Sequence, residues 1–542
     1  MPSFRSLAKS SFINRNISLL FYLYLMLAFD LWLASINLSR IEKFPPDAFY
    51  YAKQLSPLFW IGMIVLTSIM ILLVTKDISK LKYKKMVHII LILIFTLYLF
   101  GTTCFLYNEP RFSDERGVAR YAGQIIDSGF TISGKEYYLD EYPGAIIFLS
   151  ICCMTSAIHP IDLAKYFSIS LMFTLSILAY VLASKFSKKY SILAPLALLS
   201  FSNLQEYHMS PQALSLILYV TFWVVMIDIL ITDIDNQNSS KKMFVLIICF
   251  ITLTVSHLGT PLVITIDILT YFVLSHILLF LCPGRFKLRT NIFQLIIIFL
   301  IIYFSWMIYI SNGQFASLIN IVTHSVNNVI VGNGEIIYNL PHPQLDYTIA
   351  NNIQLLSVIT QVVMGLLAVL ILWVNQKKEI SITLGCWFLG SLLFILYGFF
   401  YSKGFYRAII FSLIPFSILM STIFSLKLHN PFFCCRPSLY RLLNIFLISV
   451  IVLAAFSIPL TRNSVDAFEY LSDANKHGNI FESDKQIDTL NPMIFSNSKY
   501  NLFQLRESKG DYYKKSFNKI YLNQIYNDDD FKIYLYNHFK NP

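Results

Sequence analysis

The sequence predicts an all-α protein that crosses a membrane many times. The chain has 542 residues and a mean hydropathy of +0.60. Hydrophobic residues make up 56% of it and charged residues only 13%, far from the composition of soluble proteins. The hydrophobic residues also fall into runs of about 20, the length of a helix that crosses the hydrocarbon core. We therefore expect a polytopic helical bundle in the lipid bilayer.

About thirteen spanning helices are predicted from these runs. The first follows a basic N-terminal segment and is too long for a signal-peptide core, so we interpret it as a retained span. The segment from Gly144 to Ile158 is apolar but short, and it is either a short span or a helix in the outer interface. The predicted spans lie near 17–36, 58–75, 88–106, 163–184, 190–203, 211–232, 243–258, 261–282, 291–311, 355–374, 380–399, 406–425 and 440–459.

The distribution of lysine and arginine predicts the orientation, because basic residues accumulate in cytoplasmic turns. If Gly144 to Ile158 does not cross, every basic turn lies on the side of the N-terminus. We therefore expect a cytoplasmic N-terminus in a plasma membrane and an extracytoplasmic C-terminus. The basic turns are 76–85, 185–189, 241–242, 283–289, 375–379 and 427–441.

Two domains are predicted, a transmembrane domain over 1–461 and an extracytoplasmic tail over 462–542. The tail is polar, and its stretch 518–538 alternates as two strands around an Asn-Asp-rich turn. We expect a small α/β appendage there.

Several function classes are disfavoured by composition and motifs. The net charge of +11 is explained by the basic turns, so no nucleic-acid partner is expected. The eight cysteines show no CxxC spacing, which argues against a disulfide framework or a zinc site. The sequence has no P-loop and no HExxH motif, and this argues against nucleotide-driven chemistry.

The outer loop 107–143 is the densest group of acidic residues between two spans. Asp114 and Glu115 follow the end of an apolar run, and an amphipathic segment with Arg120 comes next. A Tyr-Tyr pair and the sequence Glu-Tyr-Pro-Gly then lead into the next apolar run. Polar residues of other outer loops would lie on the same membrane face.

The stretches DERGVARYAGQIIDSGF (114–130) and YYLDEYPGAIIF (137–148) resemble the first outer loop of GT-C glycosyltransferases. These multispanning enzymes use polyprenyl- or dolichyl-phosphate sugars and include protein mannosyltransferases, aminoarabinose lipid A transferases and oligosaccharyltransferases. Glu141 and Tyr142 stand where mannosyltransferase-like members have a basic residue, which leaves a similarity to the Tyr-Pro-Gly loop of oligosaccharyltransferases. The resemblance implies a GT-C helical bundle from a prokaryote or an archaeon and a lipid-linked sugar donor.

This resemblance implies that Asp114 is a general base, with Glu115 as a second carboxylate that orients the acceptor or helps to bind a metal. Sugar transfer requires a group that removes the acceptor proton, and a partly desolvated carboxylate can have its pKa raised for this purpose. The alternative is that both are solvated acids of an outer loop.

The lipid phosphate that leaves needs positive charge, for which Arg407 and Lys403 at the outer start of a span are candidates. Arg116 and Arg120 are alternatives from the first outer loop, and so is a divalent cation such as Mg²⁺ or Mn²⁺. No metal ligands are assigned. Arg407 could instead be an interfacial anchor whose charged end reaches the water.

Further residues at the outer face are candidates for the wall of the substrate cavity. Some have structural alternatives, because residues at helix starts also act as caps and residues in tight hairpins stabilise turns. The long outer loop 312–354 is either a closing loop or an ordinary mobile one. The candidates for the cavity are Tyr138, Glu141, Tyr142, Pro143, His208, Gln212 and His257.

The predicted function is transfer of a sugar to a protein, lipid or glycan acceptor at the extracytoplasmic face. A transporter or flippase of lipid-linked saccharides is the main alternative, because Asp30, Asp228 and Asp267 lie within apolar runs. A polymerase-like enzyme of surface-glycan assembly is another. The concentration of polar residues at one face favours the enzyme over the transporter.

Overall fold

The architecture is that of a computed structural model. It describes residues 4–39, 51–75, 83–107, 110, 113–129, 137–202, 207–231, 238–281, 291–316, 319–320, 323, 348–375, 379–394, 404–424, 437–461, 500–506, 522–528 and 531–537.

Helices make up nearly all of the described chain. They are α1 (Phe4–Leu38), α2 (Pro57–Thr75), α3 (Lys84–Thr96), α4 (Thr102–Leu106), α5 (Ser113–Ser128), α6 (Tyr137–Glu141), α7 (Gly144–Ser156), α8 (Pro160–Phe186), α9 (Leu193–Phe201), α10 (Pro211–Ile231), α11 (Asn238–Ser256), α12 (Gly259–Leu281), α13 (Asn291–Tyr309), α14 (Thr348–Asn375), α15 (Glu379–Leu393), α16 (Gly404–Ile423) and α17 (Pro437–Thr461). A short 3-10 helix covers Tyr51–Gln54, and a π-helical segment, Leu97–Gly101, joins α3 to α4.

The apolar runs form helices because a helix satisfies its own backbone hydrogen bonds, which lipid cannot do. Among the described residues, seven helices are long and apolar enough to cross a membrane, and five shorter helices are also apolar. The chain is therefore an integral membrane protein, as predicted. Each predicted span contains a helix, but the count of thirteen spans stays a prediction.

Helix α9 departs from the prediction of a spanning helix over 190–203. It has nine residues, all of them buried, and is about 14 Å long. It packs against α8, α16 and α17 in the interior of the bundle. A run that is hydrophobic all round is expected both for a membrane span and for a buried core helix, so hydropathy alone could not distinguish the two.

Helix α7 forms the apolar segment that follows the first outer loop. Its 13 residues extend about 20 Å, whereas the hydrocarbon core is about 30 Å thick. It packs against α5, α10 and α11, and only three residues separate its end from the start of α8. Its length favours a helix in the interface over a full span.

The outer surface of the bundle is apolar, as a lipid-facing surface must be. On α13, four large residues with spacings of three and four are at least 42% exposed, and they are Ile297, Ile301, Phe304 and Ile308. The opposite face of α13 is buried, where Phe299 stacks on Phe250 with ring centroids 4.1 Å apart.

Two of the three acids within apolar runs are engaged by polar partners. Asp267 is fully buried and accepts hydrogen bonds from the Tyr219 hydroxyl (2.7 Å) and from Ser391 Oγ (3.1 Å). These bonds link α12 to α10 and α15. Asp228 lies near the end of α10 and pairs with two lysines, while Asp30 is exposed on α1. The three acids therefore line no common path through the bundle.

The C-terminal tail contains a three-stranded antiparallel sheet of order β1-β3-β2, formed by β1 (Tyr500–Arg506), β2 (Leu522–Asp528) and β3 (Phe531–Asn537). The hairpin of β2 and β3 lies where the sequence predicts two strands. Residues 462–499 lie outside the described part of the chain. The α/β appendage and the domain boundary at 461 stay predictions.

Candidate functional site

The N-terminus of α5 carries the two acids of the first outer loop. Asp114 and Glu115 are its second and third residues, where the helix dipole favours negative charge. Glu115 is only 4% exposed, and its Oε1 accepts a hydrogen bond from the backbone N–H of Met209 at 3.1 Å. Glu115 thereby ties α5 to the segment that precedes α10. The side chain of Asp114 lies outside the described structure.

The two arginines of the first outer loop have different surroundings. Arg116 is partly buried, and its Nη2 donates to the carbonyl oxygen of Pro110 at 3.2 Å. Arg120 is exposed. Arg116 therefore also holds the chain that enters α5, which is a structural role that its sequence position did not reveal.

The first outer loop is folded back on itself by side-chain contacts. The Tyr121 hydroxyl, in α5, donates to Asp140 Oδ1 in α6. Ser150 of α7 donates to the carbonyl oxygen of Ala122 at 3.2 Å. Helices α5, α6 and α7 therefore form one compact unit at this end of the bundle. Tyr138 belongs to α6, but its side chain is not described.

Glu141 joins this unit to the end of α13. Its Oε2 accepts hydrogen bonds from Ser311 Oγ (2.7 Å) and from the backbone N–H of Gln314 (3.2 Å). A Cβ at Gly313 would lie 2.6 Å from Glu141 Oε1, so the carboxylate fits against a residue without a side chain. Glu141 was predicted to line a substrate cavity, and the structure brings it to the start of the second outer loop.

Tyr142 reinforces the same junction. Its hydroxyl oxygen lies 2.9 Å from Ser311 Oγ, and it donates to Met307 Sδ at 3.1 Å. Burial is the main reason that the pKa of Tyr142 rises to about 12, and the negative charge of Glu141 adds to this effect. The hydroxyl therefore keeps its hydrogen at physiological pH. Nothing in the sequence around Ser311 signalled that it would be the partner of both residues.

Pro143 and Gly144 bring the first outer loop against the end of α11. A Cβ at Gly144 would lie 2.8 Å from Ser256 Oγ and 3.2 Å from the Val255 carbonyl oxygen. A larger residue at this position would require Ser256 and Val255 to shift. The contact places the Tyr-Pro-Gly sequence beside the hairpin that carries His257.

His257 lies in a two-residue connection between α11 and α12, the tight hairpin that the sequence predicts. The backbone N–H of Thr260 donates to His257 Nδ1 at 3.1 Å, and Thr260 Oγ1 lies 2.8 Å from the same nitrogen. Because Nδ1 accepts the amide hydrogen, the neutral ring carries its own hydrogen on Nε2. His257 thus satisfies one of the free N–H groups at the start of α12.

Arg407 lies near enough to His257 for its charge to act on the imidazole. Burial, and secondarily the guanidinium of Arg407, hold the pKa of His257 well below its usual value. Arg407 is partly buried in the first turn of α16. The hairpin and the start of α16 therefore meet at the same end of the bundle as the first outer loop. Lys403 lies outside the described residues.

His208 and Gln212 flank the start of α10. His208 is partly exposed, and Gln212 is 7% exposed in the first turn. His208 is the neighbour of Met209, whose N–H is bound by Glu115. Both residues therefore belong to the same cluster of outer segments as α5.

No group of three or more His, Cys, Asp or Glu side chains in the described part of the chain could hold a metal ion. The prediction of Mg²⁺ or Mn²⁺, with Glu115 as a carboxylate that helps to bind it, stays a prediction.

Several solved structures are similar to this chain. The Archaeoglobus fulgidus oligosaccharyltransferase, in complex with Zn and sulfate, matches at a TM-score of 0.47 and 13% identity over 72% of this chain and 55% of its own length. AglB from the same organism, in complex with an inhibitory peptide and a dolichol-phosphate, matches at a TM-score of 0.46 and 12% identity. The match covers 76% of this chain and 62% of AglB. ArnT from Cupriavidus metallidurans, bound to undecaprenyl phosphate, matches at a TM-score of 0.45 and 10% identity. The match covers 83% of this chain and 97% of ArnT.

Two of these three structures are of archaeal oligosaccharyltransferases. This chain spans only 55% of the length of the first oligosaccharyltransferase structure. No known family profile matches the sequence, and comparison with curated proteins gives no match. Identities of 10–13% and TM-scores below 0.5 establish neither a shared activity nor equivalent residues.

Proposed function

We propose that the protein is a membrane glycosyltransferase that moves a sugar from a polyprenyl- or dolichyl-phosphate donor to an acceptor at the extracytoplasmic face. The observation that carries this proposal is the convergence of five outer segments at one end of the bundle. Glu115 binds the segment before α10, Glu141 binds the start of the second outer loop, Gly144 contacts the α11–α12 hairpin, and Arg407 acts on His257.

In this proposal Asp114 is the general base. The acceptor hydroxyl or amine attacks the anomeric carbon, its proton passes to the Asp114 carboxylate, and the bond from that carbon to the phosphate oxygen breaks with its electrons on the phosphate. Glu115 is a positioning residue, because its buried carboxylate holds Met209 and thereby sets the orientation of α5 relative to α10.

Arg407 is the proposed partner of the phosphate that leaves. A guanidinium is always charged and can donate two hydrogen bonds to one phosphate. His257 has its imidazole hydrogen on Nε2 and lies close to Arg407, so it is a second polar group at this position. Arg116 and Arg120 of α5 are further candidates for this role, and Lys403 is a candidate from its position in the sequence.

The acceptor in this proposal is a protein, a lipid or a glycan. A transporter of lipid-linked saccharides remains the alternative, but it requires polar groups along a path through the bilayer. Asp267 is hydrogen-bonded within the bundle and Asp228 is paired with lysines, so neither favours such a path.

The test is transfer of radiolabelled sugar from a panel of polyprenyl-phosphate donors in membranes that contain equal amounts of each variant. We expect Asp114→Asn to lower transfer by about 10²–10⁴-fold, the usual contribution of a general base. Asp127→Asn is the matched control, because Asp127 is an exposed acid near the other end of α5.

Full activity of Asp114→Asn would mean that the base lies elsewhere, and Glu115→Gln would then be tested. If wild type transfers no sugar from any donor, the transferase proposal is rejected, and translocation of fluorescent lipid-linked saccharide becomes the assay.

A further inference from the structure

A second polar site lies at the end of the bundle opposite the outer loops. It is a cavity of about 240 Å³ formed where α8 and α10 end and α11 begins. Three lysines, one aspartate and three valines line it, and they are Lys185, Lys241, Lys242, Asp228, Val224, Val225 and Val245. None of these residues belongs to the proposed catalytic machinery.

The lysines give the cavity a positive charge. Asp228 pairs with Lys185 (Oδ1 to Nζ, 2.7 Å) and with Lys242 (Oδ2 to Nζ, 2.5 Å). Within the described part of the chain, the ammonium group of Lys241 has no ion pair or hydrogen bond. The three lysines and one aspartate that line the cavity give it a formal charge of +2.

The wall of the cavity is apolar and continues along α11. Lys241, Val245 and Ile248 are separated by four and three residues, so they share one face of the helix. Val245 and Ile248 are each 47% exposed. A positive charge at the helix end is therefore followed directly by an exposed apolar strip. A free phosphate has no apolar group that could contact this strip. A phospholipid has both a phosphate for the lysines and acyl chains for the strip.

We propose that this cavity binds the headgroup phosphate of an anionic phospholipid, with an acyl chain along Val245 and Ile248. The lipid belongs to the leaflet at the inner ends of α8 and α10, which the basic turns predict to be the cytoplasmic leaflet. Asp228 holds Lys185 and Lys242 in place, and Lys241 supplies the charge that the phosphate meets.

The test uses the full-length protein in detergent and native mass spectrometry with added phosphatidylglycerol, compared with phosphatidylcholine of the same chains. We expect phosphatidylglycerol to bind more tightly, and Lys241→Gln to weaken its binding about fivefold, as for one basic residue near an anionic surface. Lys188→Gln is the matched control, because Lys188 is an exposed lysine of the neighbouring turn outside the cavity. It should bind like wild type.

For a third variant we expect the affinity for phosphatidylglycerol to change in the opposite direction. Asp228→Asn removes the negative charge of the cavity, so it should bind phosphatidylglycerol at least as tightly as wild type. Equal binding of the two lipids, or equal losses for Lys241→Gln and Lys188→Gln, would overturn the proposal. Displacement of phosphatidylglycerol by inorganic phosphate at an equal concentration would also overturn it, since the acyl chain would then add nothing to the affinity.

Discussion

Buried ionisable side chains at the outer face serve first to fix the backbone. Glu115 accepts from the N–H of Met209, and His257 accepts from the N–H of Thr260. A buried N–H without a partner costs free energy, so each side chain stabilises a chain segment that would otherwise lack a hydrogen bond. The proposed catalytic groups are therefore supported by neighbouring segments that these hydrogen bonds hold in place.

Because the pKa of His257 is lowered by folding, we expect the stability of the protein to depend on pH in a specific way. The unfolded chain protonates it near its usual pKa of 6.5, while the folded protein, in which burial and Arg407 lower that pKa, keeps it neutral to a much lower pH. Its contribution to stability is therefore complete above about pH 6.5 and decreases as the pH falls, by up to about 1.4 kcal/mol per pH unit.

The measurement is the thermal midpoint in detergent across this pH range for wild type and His257→Asn. Asparagine keeps an acceptor for the Thr260 N–H but does not titrate, so the variant should lose less stability at low pH. His159→Asn is the control, because His159 is an exposed histidine whose Nδ1 accepts from the Ile161 N–H at the start of α8. Parallel pH profiles for wild type and His257→Asn would contradict the prediction.

The contact between the first outer loop and the end of α13 depends on the carboxylate of Glu141. Glu141→Ala removes the acceptor of both Ser311 and Gln314, and hydrogen bonds to a charged group contribute about 1.5–3 kcal/mol each. We expect faster hydrogen exchange of the Gln314 amide and lower transfer activity. Glu141→Gln keeps an oxygen acceptor and should have an intermediate effect.

Two further variants sharpen this experiment. Gly313→Ala introduces a Cβ within 2.6 Å of Glu141 Oε1, so it should displace the carboxylate and act in the same direction as Glu141→Ala. Asp162→Ala changes an exposed acid in the first turn of α8 and should leave the Gln314 amide unaffected. An unchanged exchange rate in Glu141→Ala would show that the segment is held by other contacts.

The helices could be predicted from the sequence because hydropathy acts locally, within about 20 residues. The hydrogen-bond partners of the site residues could not be predicted from the sequence, because the two residues of each pair are distant along the chain. Glu115 and Met209 are separated by 94 residues, and Glu141 and Ser311 by 170. Motif resemblance located the acids of the first outer loop but not the side chains that hold them, since serine and a backbone N–H carry no signal of their own. The prediction of a spanning helix over 190–203 differs from the structure for another reason. The protein interior around α9 is as apolar as lipid, so hydropathy does not distinguish a buried helix from a spanning one.

The two ends of the bundle differ in chemistry. At one end, Glu115 accepts from the Met209 N–H, and His257 accepts from the Thr260 N–H and has its pKa lowered in part by the charge of Arg407. The other end carries the lysines of α8 and α11 around Asp228. A charge asymmetry of this kind orients helices during insertion, so the lysine-rich end should face the cytoplasm. Both the transferase and the lipid proposals require this orientation.

The orientation can be tested with single cysteines in a background that lacks the eight native ones. Gln124→Cys lies on α5 at the outer end, and Ser240→Cys lies at the start of α11 at the lysine-rich end, and both positions are exposed. A membrane-impermeant maleimide applied to intact cells should label Cys only at position 124, and permeabilised cells should show label at both. Label at position 240 alone would place the first outer loop in the cytoplasm. The acceptor would then have to be cytoplasmic, and the proposed transfer at the outer face would be rejected together with the inner-leaflet assignment of the lipid.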